Sequence, residues 1–95
     1  MITLDKRTPP EICSLIAAAL RKRRKDARLS QEKLAVKSGV SLGSLKRFEH
    51  TGEISLLSLV KLATALQCQN ELEQLFAKRI YASIQDIIDA QSEET

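Results

Sequence analysis

The sequence predicts an all-α protein, on three observations. Apolar residues recur at spacings of three and four rather than two. A serine or threonine stands before five of the six apolar runs, at Thr8, Ser30, Ser41, Ser55 and Ser83, where a helix needs its N-cap. No stretch alternates as a strand does, except that the mixed residues 1–7 leave a tail or a short strand open. The 95 residues, 43% hydrophobic and 28% charged, suit one folded domain. Aromatics make up only 3%, so the core is expected from Leu, Ile, Val and Ala. So small a core is marginal alone, which favours a dimer or a bound partner.

The elements follow in order. Residues 1–8 form an N-terminal tail. In TPPE, at 8–11, Thr8 caps, Pro9 suits the first helical position, and Glu11 completes a capping box. The first helix is expected to run to about Arg28, with Ile12, Leu15, Ile16, Ala19 and Leu20 as its packed stripe. Ser30 caps the second helix, with Leu34 and Ala35 inward, and Gly39 ends it in the left-handed conformation. Val40 plugs the turn. Ser41 caps the third helix, which turns Leu45 and Phe48 inward and closes at Thr51 and Gly52.

Ser55 opens a fourth helix, LLSLVKLATAL, apolar around much of its circumference and therefore expected at the centre. A fifth covers about 70–79, with Leu72, Leu75 and Phe76 inward. Residues 9–79 thus form the domain. Residues 80–95 add a short helix, IQDIIDA, and an acidic tail. Its stripe of Ile84, Ile87 and Ile88 needs something to pack on, because so short a helix is not stable alone.

Charge divides the chain. Residues 1–52 hold 12 Lys and Arg against 5 Asp and Glu, a net of +7, whereas residues 53–95 hold 3 against 7, a net of −4. The first part suits a polyanion. Its densest run, RKRRK at 21–25, otherwise reads as a solvated helix end favoured by the macrodipole. Cys13 and Cys68 lack metal-ligand spacing and read as small buried hydrophobes in a reducing compartment. The apolar run at 12–20 is too short to span a bilayer, and its cations follow it, the wrong order for a signal peptide. A cytoplasmic protein without membrane contact is expected. No cofactor motif, phosphate loop, paired-carboxylate motif or nucleophile–base pair is present, so an enzyme is not expected.

Residues 29–49, LSQEKLAVKSGVSLGSLKRFE, hold two short helices joined at Gly39. This is the helix-turn-helix arrangement, in which the first helix braces across the DNA backbone and the second offers its N-terminal residues to the major groove. The stretch resembles the Cro/phage-repressor-like, or XRE, helix-turn-helix family, and SLLSLVKLATAL with ELEQLF looks like that family's fourth and fifth helices. The resemblance implies a five-helix domain over about 12–76 that binds double-stranded DNA.

It also implies roles for particular residues. Gln31 would bond a phosphate from the brace helix, and Ser41, Leu42, Gly43 and Ser44 would occupy the groove-facing start of the recognition helix. Arg47 would reach a guanine, and Lys46 and His50 phosphates. Arg24 would face the backbone while pairing with Glu49, a structural ion pair that sets the angle between the first and third helices. Many relatives carry long polar residues where this chain has Leu42 and Gly43. Leu42 would touch only a thymine methyl, so readout would rest on Ser41, Ser44 and Arg47, with a share for DNA shape.

The run GVSLGSLKRFEHTGEISLLSLVKLATALQ with ELEQLF is similar to the HipB-like antitoxins encoded beside HipA-type kinase toxins, and the short chain leaves no room for a sensing domain. This implies a homodimeric repressor of its own operon, on an inverted repeat, in complex with the toxin. A stand-alone regulator of the same family is the alternative. A protein-interaction module that has lost specific DNA binding is the alternative from another class.

Overall fold

The structure is a computed structural model and describes residues 6–77. These residues form five helices and no strand: α1 (Pro9–Asp26), α2 (Gln31–Ser38), α3 (Leu42–Thr51), α4 (Leu56–Ala65) and α5 (Gln69–Glu73). The expected helix after residue 83 and the acidic tail lie outside the described residues, as do residues 1–5. No described helix is long and apolar enough to cross a membrane.

Local chemistry sets the starts of the first four helices. Thr8 and Glu11 exchange hydrogen bonds in a capping box. The hydroxyls of Ser30, Ser41 and Ser55 each accept the N–H three residues on, at 3.1 Å. Gly39 and Gly52 end α2 and α3 at φ of 79° and 84°.

The first and fourth helices stop without glycine. Beyond α1, Arg28 N–H donates to Lys25 O and Leu29 N–H to Arg24 O. Beyond α4, Gln67 N–H donates to Thr64 O and Cys68 N–H to Ala63 O. These are paired Schellman bonds, with Arg28 (φ 61°) and Gln67 (φ 60°) in the left-handed conformation. The first helix therefore ends at Asp26, short of the expected Arg28.

The core gathers where α1 and α2 meet α3 and where α2 meets α4. Leu34, Leu45, Phe48 and Leu62 are its fully buried large side chains, with Ala17, Ala35, Val40 and Ala65 around them. Several expectations for the core are corrected. Ile12, Leu15 and Ile16 are about half exposed, at 47%, 50% and 42%. Ala19 of the same stripe is exposed as well, and only Leu20 packs on the core as expected, beside Ala17 and Arg24 on the face α1 turns inward. It passes Gly52 so closely that a Cβ there would lie 2.8 Å from the Cys13 carbonyl carbon. An approach that tight selects small residues, and the larger apolar stripe is left on the outer side. Cys13 is exposed, and only Cys68 is the buried thiol the sequence suggests.

The fourth helix buries Leu62, Ala63 and Ala65 but exposes Leu56, Leu57 and Val60, so it is not central. The fifth helix is five residues long and lacks a side-chain cap. Phe76 takes a left-handed conformation (φ 66°) and turns the chain, so Ala77 is buried while Leu75 and Phe76 are exposed.

Candidate nucleic-acid interface

Outward side chains of α3 form the candidate surface. Leu45 and Phe48 take the inner face, and the pitch of 3.6 residues turns Gly43, Ser44, Lys46, Arg47 and His50 to solvent. Ser41 caps the helix and also donates to Ser44 Oγ at 2.9 Å, which leaves the Ser44 hydroxyl proton free for an acceptor. At Gly43 an added Cβ would meet nothing within 4 Å, so the fold itself does not require glycine there.

Leu42 stands apart from these residues. It is half-buried and packs against the core cluster, on the same side of α3 as Leu45. Leu42 thus anchors the start of α3 to the core, with part of its side chain still open to solvent at the helix start. Its apolar character serves this packing.

Beneath α3 lies an ionic cluster. Arg24, 8% exposed, donates from Nε to Glu49 Oε2 (2.7 Å), from Nη2 to Glu49 Oε1 (3.0 Å) and from Nη1 to Leu29 O (2.8 Å). Gln31 Nε2 donates to Glu49 Oε1 at 2.9 Å, so the brace helix joins the same carboxylate. Burial pushes the Glu49 carboxyl up. The hydrogen bonds from Arg24 and Gln31 and the charges of Arg24 and Arg21 outweigh that, and it titrates below the ordinary value of 4.5. The expectation that Arg24 itself faces the DNA backbone does not fit this burial. The residue positions α1 against α3 and the loop before α2.

The RKRRK run is thus divided. Arg24 is buried, Arg23 pairs with Glu71 of α5 at 2.6 Å, and Lys22 pairs with Asp26 one turn on. Arg21 points to α3. With Gln31, Lys46, Glu49 and His50 it lines a polar hollow of about 260 Å³ at the N-terminal end of α2. Arg21 had no individual role in the sequence reading, although its place three residues before Arg24 puts it on the same side of α1. Two permanent cations, a histidine and the positive end of a helix surround this hollow, with the negative charge of Glu49 offset by Arg24. That is the chemistry a phosphate requires.

Arg47 lies on the other side of α3. Its Nη2 donates to Glu53 Oε1, beside Ser44, Ile54, Ser55 and Ser58. Glu53 is a further residue the sequence reading did not single out. Among the described residues no cluster of His, Cys, Asp and Glu is placed to hold a metal ion.

A helix-turn-helix family model matches residues 20–69, more than half of the chain. The protein belongs to the XRE-type helix-turn-helix family. No curated protein and no solved structure matches it. The matched span encloses α2, α3 and α4 and every residue of the α3 surface. An XRE-type helix-turn-helix domain is a DNA-binding domain of transcription regulators, and in it α2 is the brace and α3 the recognition helix.

Proposed function

We infer that the protein is a sequence-specific transcriptional repressor, binding an inverted-repeat operator as a homodimer. The observation that carries this is the joint exposure of Ser44, Lys46, Arg47 and His50 along α3, with Arg21 and Gln31 beside them at the start of α2. Lys46, His50, Arg21 and the α2 terminus hold phosphates. Arg47 and Ser44 read base edges, with Gly43 giving the helix start a close approach. Arg24 and Glu49 hold the recognition helix at its angle. One module makes few base contacts, and two half-sites a helical turn apart multiply them. The exposed Leu56, Leu57 and Val60 of α4 are compatible with association of two copies.

Within this reading the protein is the autoregulating antitoxin of a HipA-type toxin operon. That step rests on the likeness of residues 39–67 and 71–76 to HipB-like antitoxins. Fluorescence anisotropy on the duplex upstream of the protein's own gene, against a scrambled duplex, tests both steps. Preferential binding that is lost in Arg47→Ala supports the repressor. Formation of a ternary complex with the neighbouring gene product supports the antitoxin role, and its absence leaves a stand-alone regulator. Equal, weak binding to both duplexes, unchanged by the neighbouring product, points to an interaction module instead.

A further inference from the structure

Arg47 does not stand alone on the recognition helix. Its guanidinium is held by the Glu53 carboxylate, six residues on. The loop that brings Glu53 back is itself fixed. Gly52 ends α3 at φ 84° hard against the backbone of Cys13, which limits how the chain can leave the helix. Thr51 Oγ1 donates to Arg47 O at 2.7 Å and accepts the Glu53 N–H at 3.1 Å, tying the start of the loop to the turn that carries Arg47. Both side chains are about two-thirds exposed, at 68% and 66%, and they face the hollow shared with Ser44. The carboxylate thus occupies one of the Arg47 donors, Nη2, and holds the fork in place away from a nucleic-acid acceptor.

We propose that Glu53 is a specificity-determining residue, an internal competitor that holds Arg47 off the DNA until a fitting base replaces it. The inference rests on the reading above, that Arg47 contacts DNA. Exchanging the carboxylate for a phosphate replaces one anionic oxygen by another and gains little. It also leaves an unpaired carboxylate beside the polyanion. A guanine in the right register offers O6 and N7 together, and a bidentate contact with that edge offsets the loss of the ion pair. Glu53 therefore weakens contact with arbitrary sequence more than contact with the operator. An exposed pair is weak, so removing its acid should alter binding by about three- to fivefold, and screening should shrink the effect as salt rises.

The test uses the full chain, a random-sequence duplex pool, and a duplex selected from that pool by the wild-type protein. Wild type, Glu53→Gln, Arg47→Ala and the double variant are compared by anisotropy at low and high salt. The expected result is that Glu53→Gln binds the pool about three- to fivefold tighter at low salt and the selected duplex less than twofold tighter. The same substitution in the Arg47→Ala background should then change little. Equal tightening on both duplexes, with or without Arg47, would be a general charge effect and would overturn the inference. So would weaker binding of Glu53→Gln to the selected duplex, because Glu53 would then be a support for Arg47. A selected duplex that wild type binds and Arg47→Ala loses upholds the DNA reading whatever Glu53→Gln does. If wild type binds no duplex and selection enriches nothing, the DNA reading falls and the inference with it.

Discussion

Arg24 and Glu49 meet through two hydrogen bonds, of 2.7 and 3.0 Å, with side chains only 9% and 6% exposed. The pair ties α1 to α3, and Gln31 brings α2 to the same carboxylate. Removing one member of a buried pair leaves the other charged and unsatisfied, whereas removing both leaves only the neutral Gln31 amide and Leu29 carbonyl to find new partners. Arg24→Met should therefore lower stability by about 3 kcal/mol in urea denaturation, and Arg24→Met with Glu49→Met should recover most of that loss. A double variant as unstable as the single one would show that packing, not charge, explains the cost.

The same carboxylate sets an acid limit. Its folded pKa lies below the ordinary 4.5, so its contribution to stability is complete above that pH and is lost as pH falls through the lower folded value. Glu11 shifts the same way, through hydrogen bonds from the Thr8 backbone and side chain. Thermal unfolding followed from pH 6 down to about pH 3 should show steadily falling stability in the wild type. The slope should be shallower in Glu49→Gln, and identical slopes would remove Glu49 from the cause.

Two glycines that look equivalent in sequence are not equivalent in space. Gly39 and Gly52 share the left-handed conformation, but a Cβ at Gly39 meets nothing within 4 Å. Gly39→Ala should cost only conformational strain, about 1 kcal/mol. At Gly52 the same Cβ lies 2.8 Å from the Cys13 carbonyl carbon and 3.0 Å from its oxygen, backbone atoms that move only if α1 moves. Gly52→Ala should cost about 2–3 kcal/mol. Paired melting curves that give equal losses would show that α1 yields readily.

Phosphate contact has its own signature. If Lys46 and Arg21 neutralise one phosphate each, the slope of log affinity against log salt should lessen by about 1 for Lys46→Ala and for Arg21→Ala. The ratio of specific to non-specific binding should hardly change in either. An unaltered slope would take the polar hollow out of the interface.

The helix starts and the turn were legible because each depends on one or two neighbouring residues. Thr8 with Glu11, Ser30, Ser41 and Ser55 all cap as their types suggest, and Gly39 and Gly52 end helices where only glycine is comfortable. What escaped was decided at longer range. Arg28, Gln67 and Phe76 take left-handed conformations without being glycine, so α1 and α5 end earlier than residue type suggests. The apolar stripe of Ile12, Leu15 and Ile16 satisfies helical periodicity, but the contact of Cys13 with Gly52 fixes which side of α1 faces inward. The packing of Leu42 on the core was not legible, because position along the helix does not say which side a half-buried side chain takes. Glu53 was invisible as a partner of Arg47, since the chain reverses at Gly52 and no helical spacing relates the two.

Gly43 separates stability from binding. It sits in the first turn of α3, exposed, with open space where its Cβ would be, and its φ is not in the left-handed region. Glycine inside a helix is unfavourable relative to alanine, so Gly43→Ala should stabilise the fold by about 0.5 kcal/mol. If the start of α3 approaches the floor of the major groove, the added methyl meets DNA instead of protein. Gly43→Ala should then melt at a higher temperature yet bind the selected duplex more weakly, and a larger residue such as Gln should shift which base is preferred there. A stabilised variant with unchanged affinity and unchanged preference would mean that the first turn of α3 stands clear of the bases, leaving the reading to Ser44 and Arg47.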